Sequence, residues 1–184
     1  MGKAATTRER ILLAAEEVVL RDGVAKLTLE ATAACAGLSK GGVLYHFGSR
    51  DLLVTAMVER LVASFHDELD EATHGETGPG TLARSYVRAS FSTGGPDADR
   101  QRGLGAALLA AMAAQPALLE PLRQDFDFLQ AQLDADGIDP VEAAIARLAS
   151  DGIWLAELFG FADLSPAARA HVRDRLLSRL GVPQ

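Results

Sequence analysis

Residues 37–41 read Gly-Leu-Ser-Lys-Gly, a spacing that matches the G-x-S-x-G turn of serine hydrolases. In that turn a strand presents the serine on a strained elbow, and an acid and a histidine later in the chain complete the catalytic group. Here an alanine-rich stretch, residues 29–36, precedes Ser39, and its composition predicts a helix and not a strand. Ser39 is therefore interpreted as the cap of a following helix, and hydrolase activity is not expected.

Other residues with reactive side chains form no recognisable catalytic or metal-binding group. Residues 103–105, Gly-Leu-Gly, match part of a dinucleotide fingerprint, but no strand precedes them and the third glycine is missing. The single cysteine, Cys35, is interpreted as an inert small residue, with redox sensing as the alternative. No pair of histidines has the spacing of metal ligands; they stand at His46, His66, His74 and His171. No metal and no cofactor is expected.

The composition predicts a chain built from helices. Alanine and leucine are abundant, and runs of β-branched residues are scarce over the 184 residues. One cysteine excludes an intramolecular disulfide and is typical of a reducing compartment. The most apolar stretch, residues 103–114, is shorter than the roughly 20 residues that cross a bilayer. Because the N-terminus also lacks an apolar signal core, we expect a soluble cytoplasmic protein without a membrane partner.

The charge is unevenly distributed along the chain. The formal net charge is −7, but residues 1–50 hold seven Lys and Arg against five Asp and Glu, which gives +2 there and −9 in the remainder. Phosphate binding is local, and repulsion beyond a Debye length is screened by salt. A weakly basic head on an acidic body is therefore compatible with DNA as a partner.

Apolar periodicity, capping residues and glycine or proline breaks predict about nine helices and no strand. Helix starts are predicted from the capping residues Thr6 or Thr7, Thr28, Ser39, Ser49, Asp139 and Ser165. The predicted helices cover residues 7–22, 29–36, 40–46, 50–74, 81–92, 100–114, 116–135, 140–161 and 166–180. Loops are predicted at residues 75–80 and 93–97 because glycine and proline are concentrated there. The fold class is therefore all-α.

Residues 24–50 have the pattern of a helix-turn-helix, in which a tight turn presents a short second helix to the major groove. Ala33 is small enough for the next helix to approach closely, and Gly37 can adopt the positive φ of the turn. The spacing of Leu38, Val43 and Phe47 places them in the small core beneath the second helix. The remaining residues of that helix are then predicted to be exposed.

This stretch is similar to the signature of the TetR family of one-component regulators. The core, Ala-Gly-Leu-Ser-Lys-Gly-Gly-Val-Leu-Tyr-His-Phe at residues 36–47, is followed by Ser-Arg-Asp-Leu-Leu at residues 49–53, and the resemblance extends over residues 8–61. It implies a homodimer that reads a palindromic operator in double-stranded DNA, with Thr28 and Arg50 on phosphates. The full set of implied DNA-binding residues is Thr28, Ser39, Lys40, Gly41, Gly42, Leu44, Tyr45, His46 and Arg50.

The sequence departs from that family pattern at three positions. Leu44 stands where many relatives have a phosphate-contacting Tyr, Thr32 replaces a bulky aliphatic residue, and Ala34 replaces a basic or polar one. The polar contact would then come from Tyr45 or His46. A further hypothesis is that affinity depends more on an N-terminal arm, whose basic residues are Lys3, Arg8 and Arg10.

Residues 1–50 are accordingly predicted to form the DNA-binding domain, and residues 51–184 a helical domain for ligand binding and dimerisation. Aromatic, methionine and selected polar side chains of the second domain predict a pocket for an apolar or aromatic small-molecule effector, with plain core packing as the alternative. The pocket candidates are Phe65, Tyr86, Arg88, Phe91, Leu108, Met112, Phe126, Leu129 and Trp154. Apolar stripes on the last two helices predict the dimer interface, with Val141, Ile145, Leu148, Gly152, Leu155, Val172, Leu176 and Leu180.

The predicted function is a ligand-responsive transcriptional regulator, a repressor that its effector releases from the operator. Two alternatives belong to other classes of protein. A helical protein-interaction module with a decayed helix-turn-helix would account for the departures at Thr32, Ala34 and Leu44. An α-helical enzyme would need a catalytic constellation, which the sequence lacks.

Overall fold

The computed structural model describes residues 3–92, 98–161 and 164–181. Over these residues the chain forms nine α-helices and two short 3-10 turns, which agrees with the all-α prediction. The helices are α1 (Lys3–Asp22), α2 (Leu29–Ala36), α3 (Lys40–Phe47), α4 (Arg50–Thr73), α5 (Thr81–Ser90), α6 (Ala98–Ala114), α7 (Glu120–Asp134), α8 (Pro140–Phe159) and α9 (Pro166–Arg179). The 3-10 turns are Val24–Lys26 and Pro116–Leu119.

Two predicted helix starts were wrong. The first helix begins at Lys3 and not beside Thr6 or Thr7, because the alanines that follow Lys3 are strong helix formers. The predicted helix from residue 116 to 135 is divided into the second 3-10 turn and α7. Pro121, the second residue of α7, has no N–H to donate to a preceding turn, so an α-helix starts beside it but does not run through it. The predicted loop at residues 93–97 lies outside the described residues.

The chain divides into two compact units, each with its own core. Unit 1 comprises Met1–Leu61 and Pro96–Leu122, and unit 2 comprises Val62–Gly95 and Arg123–Gln184. The boundary predicted at residue 50 lies inside unit 1, because α6 packs on α1 and supplies Leu108 and Met112 to the same core. That boundary stays a prediction for where the DNA-binding fold ends.

The core of unit 1 is aliphatic and joins the first four helices to α6. Ile11, Ala15 and Val18 form the buried side of α1, spaced three or four residues apart as a helix face requires. The other buried residues in contact with this face include Leu27, Ala33, Val43, Phe47, Leu53, Met57, Leu108 and Met112. The packing fixes α2 and α3 on a rigid base.

Unit 2 is built from the second half of α4 with α5, α7, α8 and α9. Asp136 positions the start of α5, because its carboxylate accepts hydrogen bonds from the backbone N–H groups of Leu82 and Ala83 at 3.1 and 2.8 Å. One buried cluster contains Val87, Phe91, Leu133, Ala146, Leu176 and Leu180, among others. A second buried cluster contains Leu69, Tyr86, Ala89 and Leu129.

Candidate functional site

Side-chain caps define the two short helices α2 and α3. Thr28 Oγ1 accepts a hydrogen bond from Ala31 N at 3.0 Å, and Ser39 Oγ accepts one from Gly42 N at 3.1 Å. Gly37 ends α2 in the left-handed conformation, with φ 63° and ψ 39°, where a side chain would be strained. The predicted caps and the predicted turn are confirmed, and Ser39 begins a helix and does not lie on a strand-borne elbow.

Helix α3 has one buried face and one free face. Val43 is fully buried and Phe47 is 4% exposed, so these two side chains anchor the helix as the spacing predicted. Tyr45, in contrast, is 87% exposed and Leu44 is 45% exposed, although both are large. The predicted DNA-contacting residues of α3 therefore lie on a surface that the core does not use; Lys40, Gly41, Leu44 and Tyr45 are exposed, and Gly42 and His46 are partly buried.

The two glycines of α3 are not required by the packing of this unit. A methyl group on Gly41 would have Ser39 Oγ as its nearest neighbour, at 3.9 Å, and one on Gly42 would meet the same atom at 3.4 Å. Both distances correspond to ordinary van der Waals contact. A glycine inside a helix costs about 0.5–1 kcal/mol relative to alanine. The pair therefore makes α3 less stable than alanines would, and leaves its backbone accessible from outside.

Lys40 lies at the start of α3 and is paired with a carboxylate of α2. Its Nζ is 2.5 Å from Glu30 Oε1, and both side chains are more than half exposed. The lysine holds the pKa of Glu30 below its usual value, chiefly through this hydrogen bond. Exposed pairs of this kind are weak and are screened by salt, so an incoming phosphate competes readily with Glu30 for the ammonium group.

Arg50 has different partners from those expected of a phosphate-binding residue. Its Nε donates to Leu27 O at 2.9 Å and its Nη2 donates to Val24 O at 3.1 Å. Its Nη1 lies 3.5 Å from Asp51 Oδ1. The guanidinium is thus occupied by groups of its own unit.

The N-terminal basic residues belong to a helix and not to an extended arm. Lys3 begins α1, and Arg8 and Arg10 are exposed on its first turns. The Arg8 guanidinium lies over the Phe47 ring, 5.0 Å from its centroid, and so faces the end of α3. A cavity of about 330 Å³ beside it is lined by Arg8, His46, Phe47, Gly48, Leu52, Thr55, Ala56 and Glu59.

In unit 2, a polar pair lies among aromatic side chains. The Tyr86 hydroxyl donates to Asp151 Oδ1 at 2.5 Å, and the Phe65 ring meets the Tyr86 ring edge-on, with centroids 5.2 Å apart. Burial raises the pKa of Tyr86 above its usual value, and the Asp151 charge adds to that effect. Burial also raises the pKa of Asp151, although the hydrogen bond from Tyr86 and the charge of Arg147 oppose it.

Two further polar residues approach the same region of unit 2. The Arg147 guanidinium lies 5.5 Å from the centroid of the Phe126 ring, and its buried Nε has no hydrogen-bond partner. His66 Nε2 lies 2.5 Å from Asp125 Oδ1. These charged residues were not predicted as part of a site. The available signal was the placing of Arg147 and Asp151 four residues apart, as the two charged residues of the largely apolar stretch 143–156 of α8.

The predicted pocket residues do not form one group. Phe65, Tyr86 and Leu129 lie together in the second buried cluster of unit 2. Leu108 and Met112 instead belong to the core of unit 1. The others are elsewhere in unit 2: Phe91 lies in the first buried cluster, Arg88 is paired with Glu76 at 2.7 Å, Phe126 stacks under Arg147, and Trp154 is 39% exposed.

The predicted dimer residues are also divided. On α8, Val141 is 63% exposed and Leu148 60% exposed, and Ile145, Gly152 and Leu155 are exposed as well. On α9, Val172 is partly buried and Leu176 is 7% exposed, and Leu180, directly after α9, is 4% exposed. These two leucines pack into the core of unit 2, so they are not available to a second chain.

Two other kinds of site are absent from the described residues. No cluster of three or more His, Cys, Asp or Glu is arranged to hold a metal ion in that part of the chain. Within the same residues, no helix combines the length and the apolar character that a membrane crossing needs. Cys35 is exposed on α2.

Two family models match the chain. Residues 11–57 match the model described as "Bacterial regulatory proteins, tetR family", and residues 80–181 match "Tetracyclin repressor-like, C-terminal domain". The HTH-type transcriptional regulator TtgR of Pseudomonas putida is 36% identical over 74 residues, which are 40% of this chain and 35% of TtgR. The match thus spans about a third of the length of that curated relative.

Solved structures match nearly the whole chain. A member of the TetR family from Streptomyces coelicolor A3 superposes with a TM-score of 0.74 at 26% identity, over 96% of this chain and 99% of that one. The multidrug binding protein EbrR, in complex with malachite green, superposes with a TM-score of 0.73 at 26% identity, over 95% of this chain and 98% of EbrR. The likeness therefore extends beyond the helix-turn-helix to the helices that follow it.

Proposed function

This chain belongs to the TetR family of bacterial regulatory proteins, and from that premise we propose that it is a repressor that binds a palindromic operator as a homodimer and is released by a small aromatic effector. Membership of the family makes it a DNA-binding transcriptional regulator and not an enzyme. The operator, the dimer and the effector are the proposed part.

The free face of α3 is the observation that carries the proposal. Tyr45 is 87% exposed although an aromatic ring gains free energy from burial, and Gly41 and Gly42 leave the helix backbone open to close approach. The major groove of DNA is wide enough to admit such a helix, and Lys40 at its start can exchange Glu30 for a phosphate. This face thus combines close approach, an aromatic hydroxyl and a positive charge.

The exposed apolar face of α8 supports the homodimer. The exposed residues of this face follow one another three or four positions apart, as one side of a helix requires: Val141, Ile145, Leu148, Gly152 and Leu155. In a two-fold interface, the same face on a second copy covers it. A dimer is also what a palindrome requires, because two recognition helices must enter successive major grooves roughly 34 Å apart.

The proposed effector site is the aromatic cluster of unit 2. Phe65 and Tyr86 provide ring surfaces, and Asp151 and Arg147 provide charged groups beside them. EbrR binds malachite green, an observation on that protein that favours an aromatic ligand here. Helix α4 belongs to unit 1 up to Leu61 and to unit 2 from Val62, and a shift of α4 is the proposed route of the signal.

Selection of bound fragments from random DNA by the purified protein tests the DNA-binding part. We expect an inverted repeat, bound with an affinity that falls steeply as salt rises, and sedimentation that gives twice the mass of the chain. Addition of malachite green as the probe should lower that affinity. Recovery of no common sequence, or of a single half-site bound by a monomer, would count against the proposal.

A Gly41→Ala variant tests whether α3 is the reading helix. The methyl group is expected to raise the stability of the free protein by about 0.5–1 kcal/mol, because alanine is the better helix former. It should also weaken binding to the selected DNA about tenfold, because it occupies the space between backbone and base edges. Cys35→Ala on the neighbouring helix is the control and should change neither property. Unchanged DNA affinity in Gly41→Ala would remove α3 from the interface.

A further inference from the structure

Arg50 is the first residue of α4, and its side chain reaches back to the segment that joins α1 to α2. The two carbonyl oxygens that it binds belong to residues 23 and 26 positions earlier in the chain. Val24 opens the 3-10 turn, and Leu27 immediately precedes the Thr28 cap of α2. The guanidinium therefore spans the turn from its first residue to the start of α2.

The Leu27 carbonyl lies where the fold needs a donor, and the Val24 carbonyl can accept a second hydrogen bond beside it. Leu27 is fully buried as a side chain, and its backbone N–H is already bonded to Val24 O at 3.2 Å within the turn. Neither Val24 O nor Leu27 O belongs to an α-helix. A backbone carbonyl without a donor in a partly buried position costs free energy. Arg50 supplies a donor to Leu27 O and a second donor to Val24 O, because the planar guanidinium has several N–H groups in a fixed fork.

The same contacts limit what else Arg50 can do. Its side chain is 35% exposed, and Nε and Nη2 are engaged with the two carbonyls while Nη1 faces Asp51. If the guanidinium turned toward a DNA phosphate, Leu27 O would lose the donor that Arg50 supplies, and Val24 O would keep the Leu27 N–H alone. Lys40 differs, because its partner is the exposed carboxylate of Glu30, which water replaces at little cost.

We infer that Arg50 is a positioning residue: by binding Val24 O and Leu27 O it fixes the start of α2 to the first turn of α4, and thereby sets the orientation in which α2 and α3 meet DNA. This goes beyond the proposed function, which it assumes only in the DNA-binding arm of the test. Because Arg50 lies in the first turn of α4, that turn is a structural part of the helix-turn-helix. A displacement of α4 then changes the head through these two hydrogen bonds.

Arg50→Lys and Arg50→Gln, measured against Lys40→Gln, separate positioning from phosphate contact. If Arg50 positions α2, lysine cannot replace it, because an ammonium group is a point donor and not a fork. Both Arg50 variants should then bind the selected DNA about tenfold more weakly with an unchanged slope of log affinity against log salt. Lys40→Gln should reduce the magnitude of that slope by about 1.

In the DNA-binding experiment, two results would overturn the inference. Phosphate contact by Arg50 predicts that Arg50→Lys behaves like the wild type and that Arg50→Gln loses about 1 from the salt slope. Wild-type affinity in both variants would show that the two hydrogen bonds do not influence DNA binding. Circular dichroism of each variant confirms that the helices are intact before binding is compared.

Hydrogen exchange on the free protein tests the role of the two Arg50 hydrogen bonds without DNA. Loss of the two bonds should increase exchange of the backbone amides of residues 24–36 roughly five- to tenfold in both Arg50 variants. Lys40→Gln should leave the exchange of these amides unchanged. Equal exchange in the wild type and both Arg50 variants would show that these hydrogen bonds do not fix the start of α2, whatever the outcome with DNA.

Discussion

Each unit holds a carboxylate away from water, and the two carboxylates have opposite surroundings. Glu16 of α1, in unit 1, is 5% exposed and lies between two arginines: Arg60 Nε of α4 at 3.1 Å and Arg100 Nη2 of α6 at 3.4 Å. Asp151 of α8, in unit 2, is partly buried and accepts one hydrogen bond from a neutral donor, the Tyr86 hydroxyl. The charge of Glu16 is compensated by two arginines, whereas the charge of Asp151 is largely uncompensated.

The difference has a structural consequence in each unit. The arginines that neutralise Glu16 also contact Glu9 and Glu17, so ion pairs join α1, α4 and α6 around the base of the helix-turn-helix. In unit 2, burial raises the pKa of Asp151, so ionisation of that carboxyl destabilises the fold. Unit 1 is thus held in one geometry by paired charges. Unit 2 keeps a charge that a bound ligand is in a position to compensate, which agrees with its proposed role as effector site.

The largest effect is expected from removal of the Glu16 charge. In Glu16→Gln, Arg60 and Arg100 keep their outer partners but lose the carboxylate between them. We expect the free energy of unfolding to fall by about 2 kcal/mol, a value reduced from that of a fully buried pair because each arginine is about one-third exposed. Urea denaturation measures the change.

Glu17→Gln is the matched control, because Glu17 pairs with the same Arg100 but its side chain is 53% exposed. Its effect should be about 0.5 kcal/mol or less. Equal losses in the two variants would mean that burial of Glu16 does not matter, and the contrast with Asp151 would disappear.

The two regions also differ in how far they could be predicted from sequence. The caps at Thr28 and Ser39, the left-handed Gly37 and the anchors Val43 and Phe47 are confirmed, because each depends on residues within a few positions. The hydrogen bonds of Arg50 to Val24 O and Leu27 O were not predicted, since these partners are more than 20 residues away in the sequence. Local patterns identify helix ends and inward faces, but not which groups meet across the fold.

That limit also explains why the residues of the predicted pocket and interface are divided among different cores. Apolar periodicity indicates that Leu108 faces inward, but not that the core it enters is that of unit 1. Likewise, the stripe on α9 was assigned to a second chain, whereas Leu176 and Leu180 are buried by α5 and α8 of their own unit. The α8 stripe stays a prediction. Its residues are exposed, as an interface requires, but exposure alone does not identify the partner.

Loss of the Tyr86 hydroxyl should have the next largest effect. Tyr86→Phe retains the ring against Phe65 but leaves Asp151 without its donor, and an unsatisfied charged acceptor in a partly buried position costs about 1–2 kcal/mol. Thermal unfolding measures it, and Tyr45→Phe on the exposed face of α3 is the control, with a change of about 0.5 kcal/mol or less. If Tyr86→Phe cost no more than Tyr45→Phe, the pair would not hold Asp151 in place.

The smallest effect, and the one of opposite sign, is expected from Asp151→Asn. Asparagine still accepts the Tyr86 hydrogen bond but carries no charge to desolvate. The folded-state pKa of Asp151 is raised above its unfolded value, so the wild type gains stability as pH falls through that pKa and loses it as pH rises. At neutral pH the variant should be more stable by about 0.5 kcal/mol, discounted for solvent screening, and this advantage should vanish in acid.

Urea midpoints of both proteins measure the difference, between about pH 4, near the ordinary pKa of a carboxyl group, and about pH 8. Asp70→Asn, at an exposed position of α4, is the control and should show no such trend. A variant less stable than the wild type at neutral pH would mean that the Asp151 charge is compensated after all, as that of Glu16 is.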